Sequence, residues 1–185
     1  MNQKKSLLTQ LVVTGAMAAI ICVITFLRFP LLGSKVHFAN ALCLVSGLLL
    51  GPVYGGVAAG LGSFLYDAMF GGYDPLQCAI TFVSKFAMAW LCAQIAKPAK
   101  PGKADVRMIV GSVLGALFYV VLYMLKTYVF QRFVYGIPLP ATTVTMLEKL
   151  PASAINAVVA MIAAPIIYSA VRPALKRAGL LQKLQ

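Results

Sequence analysis

"GLLLGPVYGGVAAGLGSFLYDAMFGGYDP", residues 47–75, places eight glycines, two prolines and two aspartates inside an otherwise apolar tract. Glycine at this density destabilises a helix in water. In a bilayer it does the opposite work. Apolar side chains gain little by meeting each other rather than lipid, so helices associate where small residues let backbones approach. Gly51, Gly55 and Ala59 repeat at four-residue spacing, as do Gly56 and Gly60, and Ala58 and Gly62. Gly51-Pro52 splits the tract, because proline biases its predecessor away from helix. The tract ends in Asp67, Tyr73 and Asp74, a polar end to an apolar element.

The rest of the chain requires the same solvent. Of 185 residues, 61% are hydrophobic and 11% charged, against about 25% charged in soluble domains. A membrane-spanning helix needs about 20 apolar residues. The pattern predicts an all-α membrane protein, a single transmembrane domain over residues 1–185. Its six helices fall at about 7–27, 38–50, 53–71, 75–96, 108–131 and 150–171. The apolar region of the first is too long for a cleaved secretory signal.

The net charge of +12 invites a nucleic-acid reading, but its distribution argues for orientation instead. Lys4, Lys5, Lys97, Lys100, Lys103, Arg107, Arg172, Lys176, Arg177 and Lys183 lie in the N-terminus, the 97–107 loop and the C-terminal tail, with one acid, Asp105. That is the positive-inside pattern, so both termini should be cytoplasmic. The 28–37 loop, the 70–77 loop and a long, flexible 132–149 segment then face outward. Mixed charge, hydroxyls and aromatics there suit a small-molecule site.

No motif supports an enzyme. There is no GxxxxGK[ST] phosphate loop, HExxH or nucleophile elbow, and a lone His37 cannot form a zinc site. Cys22, Cys43, Cys78 and Cys92 lack metal-ligand spacing. The expectation is no catalytic residue, metal or cofactor. A self-sufficient small-solute permease or channel is the alternative reading; no inverted repeat supports it. A membrane scaffold would require a featureless outer face.

Residues 36–90, "VHFANALCLVSGLLLGPVYGGVAAGLGSFLYDAMFGGYDPLQCAITFVSKFAMAW", resemble the core of the substrate-binding S components of energy-coupling factor (ECF) vitamin transporters. The shared pattern is a polar cluster before a short helix (His37 to Asn40), an apolar stretch ending in a Gly-Pro turn (Leu48 to Gly55), a glycine-rich helix ending in Asp67, a loop with Gly72-Tyr73, and a helix carrying Lys85. "PASAINAVVAMIAAPIIYSAVRPALKR" is similar to the family's last helix, with Asn156 near its outer end. The family often has an acid where Ala39-Asn40 stand here.

The resemblance implies a prokaryotic plasma-membrane subunit that captures a water-soluble vitamin or precursor. It also implies a transmembrane coupling subunit (EcfT) and two cytoplasmic ATPase subunits (EcfA and EcfA′), which would hydrolyse the ATP. Gly15, Ala16, Ala18 and Ala19 match the family's small-residue motif for docking the coupling subunit. His37, Asn40, Asp67, Tyr73, Gln77, Thr81, Lys85, Lys126, Tyr135 and Asn156 are the expected substrate-binding residues. Asp67 and Lys85 are expected to pair at the floor of an outer cavity, since an intramembrane charge is costly alone. Tyr119, Tyr123 and Phe130 read as core or lipid-facing. The positive excess of the outer half favours a neutral or anionic ligand. A pyridoxine- or hydroxymethylpyrimidine-like compound leads, with cobalamin or pantothenate possible.

The orientation is testable. A membrane-impermeant maleimide applied to intact cells should label a cysteine placed at Lys149 and not one at Lys103. The reverse pattern would overturn the orientation.

Overall fold

The computed structural model describes residues 2–31, 34–96, 106–180 and 184. Lys97, Lys100, Lys103, Asp105 and Lys183, which helped set the orientation above, lie outside the described residues. The elements are α1 (Asn2–Ile24), β1 (Arg28–Leu31), β2 (Ser34–His37), α2 (Ala39–Tyr66), α3 (Pro75–Ala96), α4 (Val106–Val129) and α5 (Leu139–Arg177). Single π-helical turns extend α2 through Asp67–Gly71 and α4 through Phe130–Val134. Among the described residues, five helices are long and apolar enough to cross a membrane.

The second of these is not straight. Gly51 has φ 78° and ψ −176° inside α2, with Pro52 next to it. Only glycine takes that φ readily. The two arms, 39–50 and 52–66, fold back on each other there. Gly55 sits so close to Ser46 and Gly47 that a Cβ on it would strike their backbone. Along a straight helix Gly55 and Gly47 would be about 12 Å apart. The Ser46 hydroxyl lies 2.7 Å from the Cys43 carbonyl and 2.9 Å from that of Gly55, linking the arms. The Gly51-Pro52 split is therefore a real break in the helix.

The folded α2 is the centre of the bundle. Of its apolar window 67% is buried, against 22% for α1 and 28% for α4 and α5. Close backbone contacts explain this packing. A Cβ on Gly47 would strike the Ala89 carbonyl of α3, and one on Gly62 the Ala18 carbonyl of α1. The outward faces of α1, α4 and α5 carry exposed apolar residues such as Leu11, Leu117, Val121, Val158 and Ile162. A bilayer is the medium in which such faces are stable.

Two sequence expectations are corrected. The 132–149 segment is not a long flexible loop. After a turn containing Gly136 (φ 65°), α5 begins at Leu139, eleven residues before the expected start at 150. Charges and threonines in 142–149 obscure the helix in the sequence. In the fold the threonines serve it: Thr143 Oγ1 donates to Leu139 O at 2.9 Å and Thr145 Oγ1 to Ala141 O at 3.1 Å. Pro151, Pro165 and Pro173 all sit within α5, as prolines can in membrane helices whose freed carbonyls find other partners.

Residues 28–37 are also not a simple loop. β1 and β2 pair antiparallel, with Arg28 opposite His37, Phe29 opposite Val36, Pro30 opposite Lys35 and Leu31 opposite Ser34. Four-residue strands containing a proline carry little strand signal in the sequence.

Candidate functional site

The hairpin, the 72–74 turn and the turn before α5 meet at one end of the bundle, over a cavity of about 230 Å³. All ten expected substrate-binding residues line it: His37, Asn40, Asp67, Tyr73, Gln77, Thr81, Lys85, Lys126, Tyr135 and Asn156. They come from five separate stretches of chain.

Lys85 is buried, at 3% exposure. Its amine donates to Asn40 Oδ1 and sits 3.8 Å from the centroid of the Tyr119 ring. Asn40 comes from the first arm of α2, Lys85 from α3 and Tyr119 from α4. The expected Asp67–Lys85 ion pair is absent. Thr81 and Lys85 are four residues apart on one face of α3, and Asp67 meets the upper of the two. Its carboxyl interacts with the Thr81 hydroxyl and with the charge of Lys126. The same hydroxyl accepts from Lys126 Nζ at 3.0 Å, and Lys126 also donates to Gln77 O at 3.2 Å. The charges of Asp67 and Lys126 act on each other beside Thr81. Among the described residues Lys85 has a neutral amide and a ring as partners, with no carboxylate at ion-pair distance.

The walls are aromatic. Tyr119 and Tyr123 stack with centroids 6.3 Å apart and planes inclined by 28°. Tyr119, Tyr123 and Phe130 all border the cavity. Tyr119 also packs against the core and Phe130 is buried, as expected of core residues, so the wall of the cavity is continuous with the core. The helical period brings Tyr119, Tyr123 and Lys126 to one face of α4, the face that Lys85 already occupies from across the cavity. Arg28, Ser34, Lys35, Gln131, Lys149 and Ser153 also line the hollow and were missed as ligand candidates. For Ser34 and Lys35 the sequence carried no such signal, because a four-residue strand is too short for alternation to register.

Two contacts close the rim. Gln77 Nε2 donates to Asp74 Oδ2 at 2.8 Å and to Tyr135 Oη at 2.7 Å, joining the turn before α3 to the turn before α5. The backbone N–H of Gln77 donates to Asp74 and holds its carboxyl below the usual range. On the other side, the Asn156 carboxamide binds β2 as a neighbouring strand would. Oδ1 accepts from His37 N–H and Nδ2 donates to Lys35 O, both at 2.8 Å. Ser34 Oγ and Tyr123 Oη add a contact of 3.2 Å.

The expected docking residues divide. Gly15, Ala16 and Ala19 are exposed on α1, whereas Ala18 is buried at 2% exposure. The Ala18 backbone lies against Gly62, so this residue belongs to the α1–α2 contact.

A family model for the S component of the ECF-type riboflavin transporter matches residues 5–173. The chain belongs to this family. S components are substrate-binding transporter subunits, not enzymes. The chain's membrane fold is similar to that of a solved protein described under "Structure and mechanism of the S component of a bacterial ECF transporter". The TM-score is 0.70 with 22% sequence identity, over 95% of this chain and 100% of that one. At that identity the likeness is one of fold. No curated protein matches the chain.

One group in this S component reports on acid. His37 lies outside the membrane-spanning helices. Burial, helped by the charges of Lys85, Arg28 and Lys35, lowers its pKa from 6.5 to about 3. The unfolded chain therefore takes up the proton first. The neutral-His37 fold keeps its full stability above about pH 6.5 and loses it as pH falls towards 3. The thermal unfolding midpoint in detergent should drop between about pH 7 and pH 4, and His37→Gln should flatten that slope. Identical slopes for both proteins would refute the assignment.

Proposed function

We propose that this chain is the riboflavin-capturing membrane subunit of an ECF importer in a prokaryotic plasma membrane. It works with a transmembrane coupling subunit and two cytoplasmic ATPase subunits. The observation that carries the reading is the tyrosine-walled polar hollow at one end of an otherwise lipid-facing bundle, in a chain of the riboflavin S-component family. In this reading the hollow opens outward and both termini are cytoplasmic, as the basic residues suggest.

Riboflavin replaces the pyridoxine- or hydroxymethylpyrimidine-like ligand favoured from residue types, and also cobalamin and pantothenate. Residue types alone specify a ring with polar edges; the family supplies which ring. The stacked Tyr119 and Tyr123 offer faces to a flat heterocycle. Asn40, Gln131 and the lysines offer groups to its carbonyls and ring nitrogens.

A second reading keeps the one-ring ligand, and the cavity size favours it. About 230 Å³ lies below the roughly 300–1,000 Å³ of most small-molecule sites. A tricyclic flavin would require the hairpin or the rim to move outward.

Quenching of flavin fluorescence on titration into purified protein separates the two readings. Riboflavin should bind with a Kd on the order of nanomolar, and Lys85→Met should weaken it by about tenfold or more. Tight pyridoxine binding without riboflavin binding would transfer the function to the second reading.

The exposed face of α1 is the proposed docking surface for the coupling subunit, through Gly15, Ala16 and Ala19. Bulk there blocks close helix approach. The double variant Gly15→Leu, Ala19→Leu should retain ligand binding and fail to copurify with the coupling subunit. Normal copurification would discard the docking role.

A further inference from the structure

The hairpin alternates the wrong way for water. Arg28, Lys35 and His37 line the hollow. Arg28 stands opposite His37 in the register, and Lys35 is two residues from His37, so the three belong to one face. Phe29 and Val36 are paired on the other face, and Phe29 is 74% exposed. Exposed Phe26 and Leu27 lead into β1 from the apolar outer face of α1, and exposed Phe38 follows β2. A half-buried antiparallel sheet in water turns its apolar face inward and its polar face out. This one does the reverse, and a two-stranded sheet is marginal in water in any case.

The edges of the sheet are treated as a bilayer requires. Sheet edges are not left open to lipid, because no water is there to bond them. On the edge of β2 the Asn156 carboxamide takes His37 N–H and Lys35 O. Those groups point away from β1, so the residues across from them, Arg28 and Pro30, present the other edge. There the Arg28 N–H donates to Phe26 O at 2.9 Å, and Pro30 has no N–H.

Helix lengths set the depth. The 18-residue apolar window Leu7–Ile24 of α1 rises about 27 Å, against a hydrocarbon core of about 30 Å. The hairpin begins just beyond it, at Arg28. On α5, Asn156 holds β2, and Arg172 is the first basic residue after it; the rise between them is about 24 Å. With Leu7 and Arg172 at one boundary of the hydrocarbon layer, both lengths place the hairpin at or just inside the other. Helix tilt only brings it further in.

We propose that the outer face of the hairpin, Phe29 and Val36 flanked by Phe26, Leu27 and Phe38, is a lipid-contact surface that seats the hairpin in the membrane interface, with the Phe29 ring against phospholipid acyl chains. The hollow then has lipid, not water, behind its hairpin wall. Phe26 fixes the root of the hairpin by packing on Tyr66 and Phe70, with ring centroids 5.0 and 4.7 Å away. The surface does not depend on which ligand the hollow takes. The orientation of the chain decides which leaflet supplies the lipid, and the depth is the same in either.

The chain has one tryptophan, Trp90, so a single fluorescent reporter can be moved. In a Trp90→Phe background, Phe29→Trp and Phe38→Trp each place it on the hairpin face. Val121→Trp, on the exposed apolar face of α4, is the lipid standard. The full-length variants are reconstituted into phosphatidylcholine vesicles, with plain or brominated acyl chains and with acrylamide in the water on both sides. Brominated chains should quench the hairpin reporters at least about half as strongly as the Val121→Trp standard, as expected for a group in the boundary of headgroups and chains. Acrylamide should quench them weakly. A smaller share of lipid quenching overturns the proposal. If acrylamide then quenches strongly, the face is in water. If neither quencher reaches it, a second copy of the chain covers it. Two hairpin positions are read, so one poorly folding variant does not decide the matter.

Discussion

The reversal of the chain at Gly51 is the constraint on which the site depends. A positive φ there lets α2 enter the bundle, fold back and leave at the same end. Its first arm carries Asn40 and its second carries Asp67. Both reach the hollow because the arms run side by side, close enough that Gly55 touches the backbone of Ser46 and Gly47. A side chain on Gly47 or Gly62 would push α3 or α1 away, and the partners of Asn40 and Asp67 lie on or beside those helices. Helix contact in a bilayer depends on such backbone approach, since burial of apolar surface contributes little there.

Within that frame the polar groups are arranged in tiers. Lys85 and Asn40 form the floor, Asp67, Thr81 and Lys126 a band above it, and Gln77, Asp74 and Tyr135 the rim on one side. The hairpin closes the other side. Each tier draws on at least two elements, so the hollow exists only when α2, α3, α4 and α5 are packed together. A buried amine supported by an amide and an aromatic face, with no counter-ion, is poorly compensated in the empty protein. That is a reason to regard the deep lysine as part of a binding site. A structural ion pair would have been satisfied by Asp67, and the fold directs Asp67 elsewhere.

The hairpin is held by its backbone. Asn156 uses both ends of its carboxamide on β2, leaving the side chains of Lys35 and His37 to the cavity. A lid anchored by main-chain bonds can vary its side chains without losing its place.

Much of this was legible in the chain itself. Apolar run lengths gave the membrane solvent and most of the helices, and Gly51-Pro52 marked the break in α2. Intramembrane polar residues are costly, so Asn40, Asp67, Thr81, Lys85 and Lys126 stood out, and all of them line the cavity, as does His37 from the hairpin. Tertiary structure decided what one-dimensional patterns cannot carry. Strands of four residues are too short for periodicity to register, so the hairpin was invisible. Thr143 and Thr145 read as loop residues until their hydroxyls find carbonyls four residues back in α5. Tyr119 and Tyr123 have the spacing of any helix face, and only the neighbouring helices make that face the inner one. The pairing of charges was decided by depth and direction. Asp67 and Lys85 both line the cavity, but Thr81 stands one turn nearer along α3, and the carboxyl interacts with it and with the charge of Lys126.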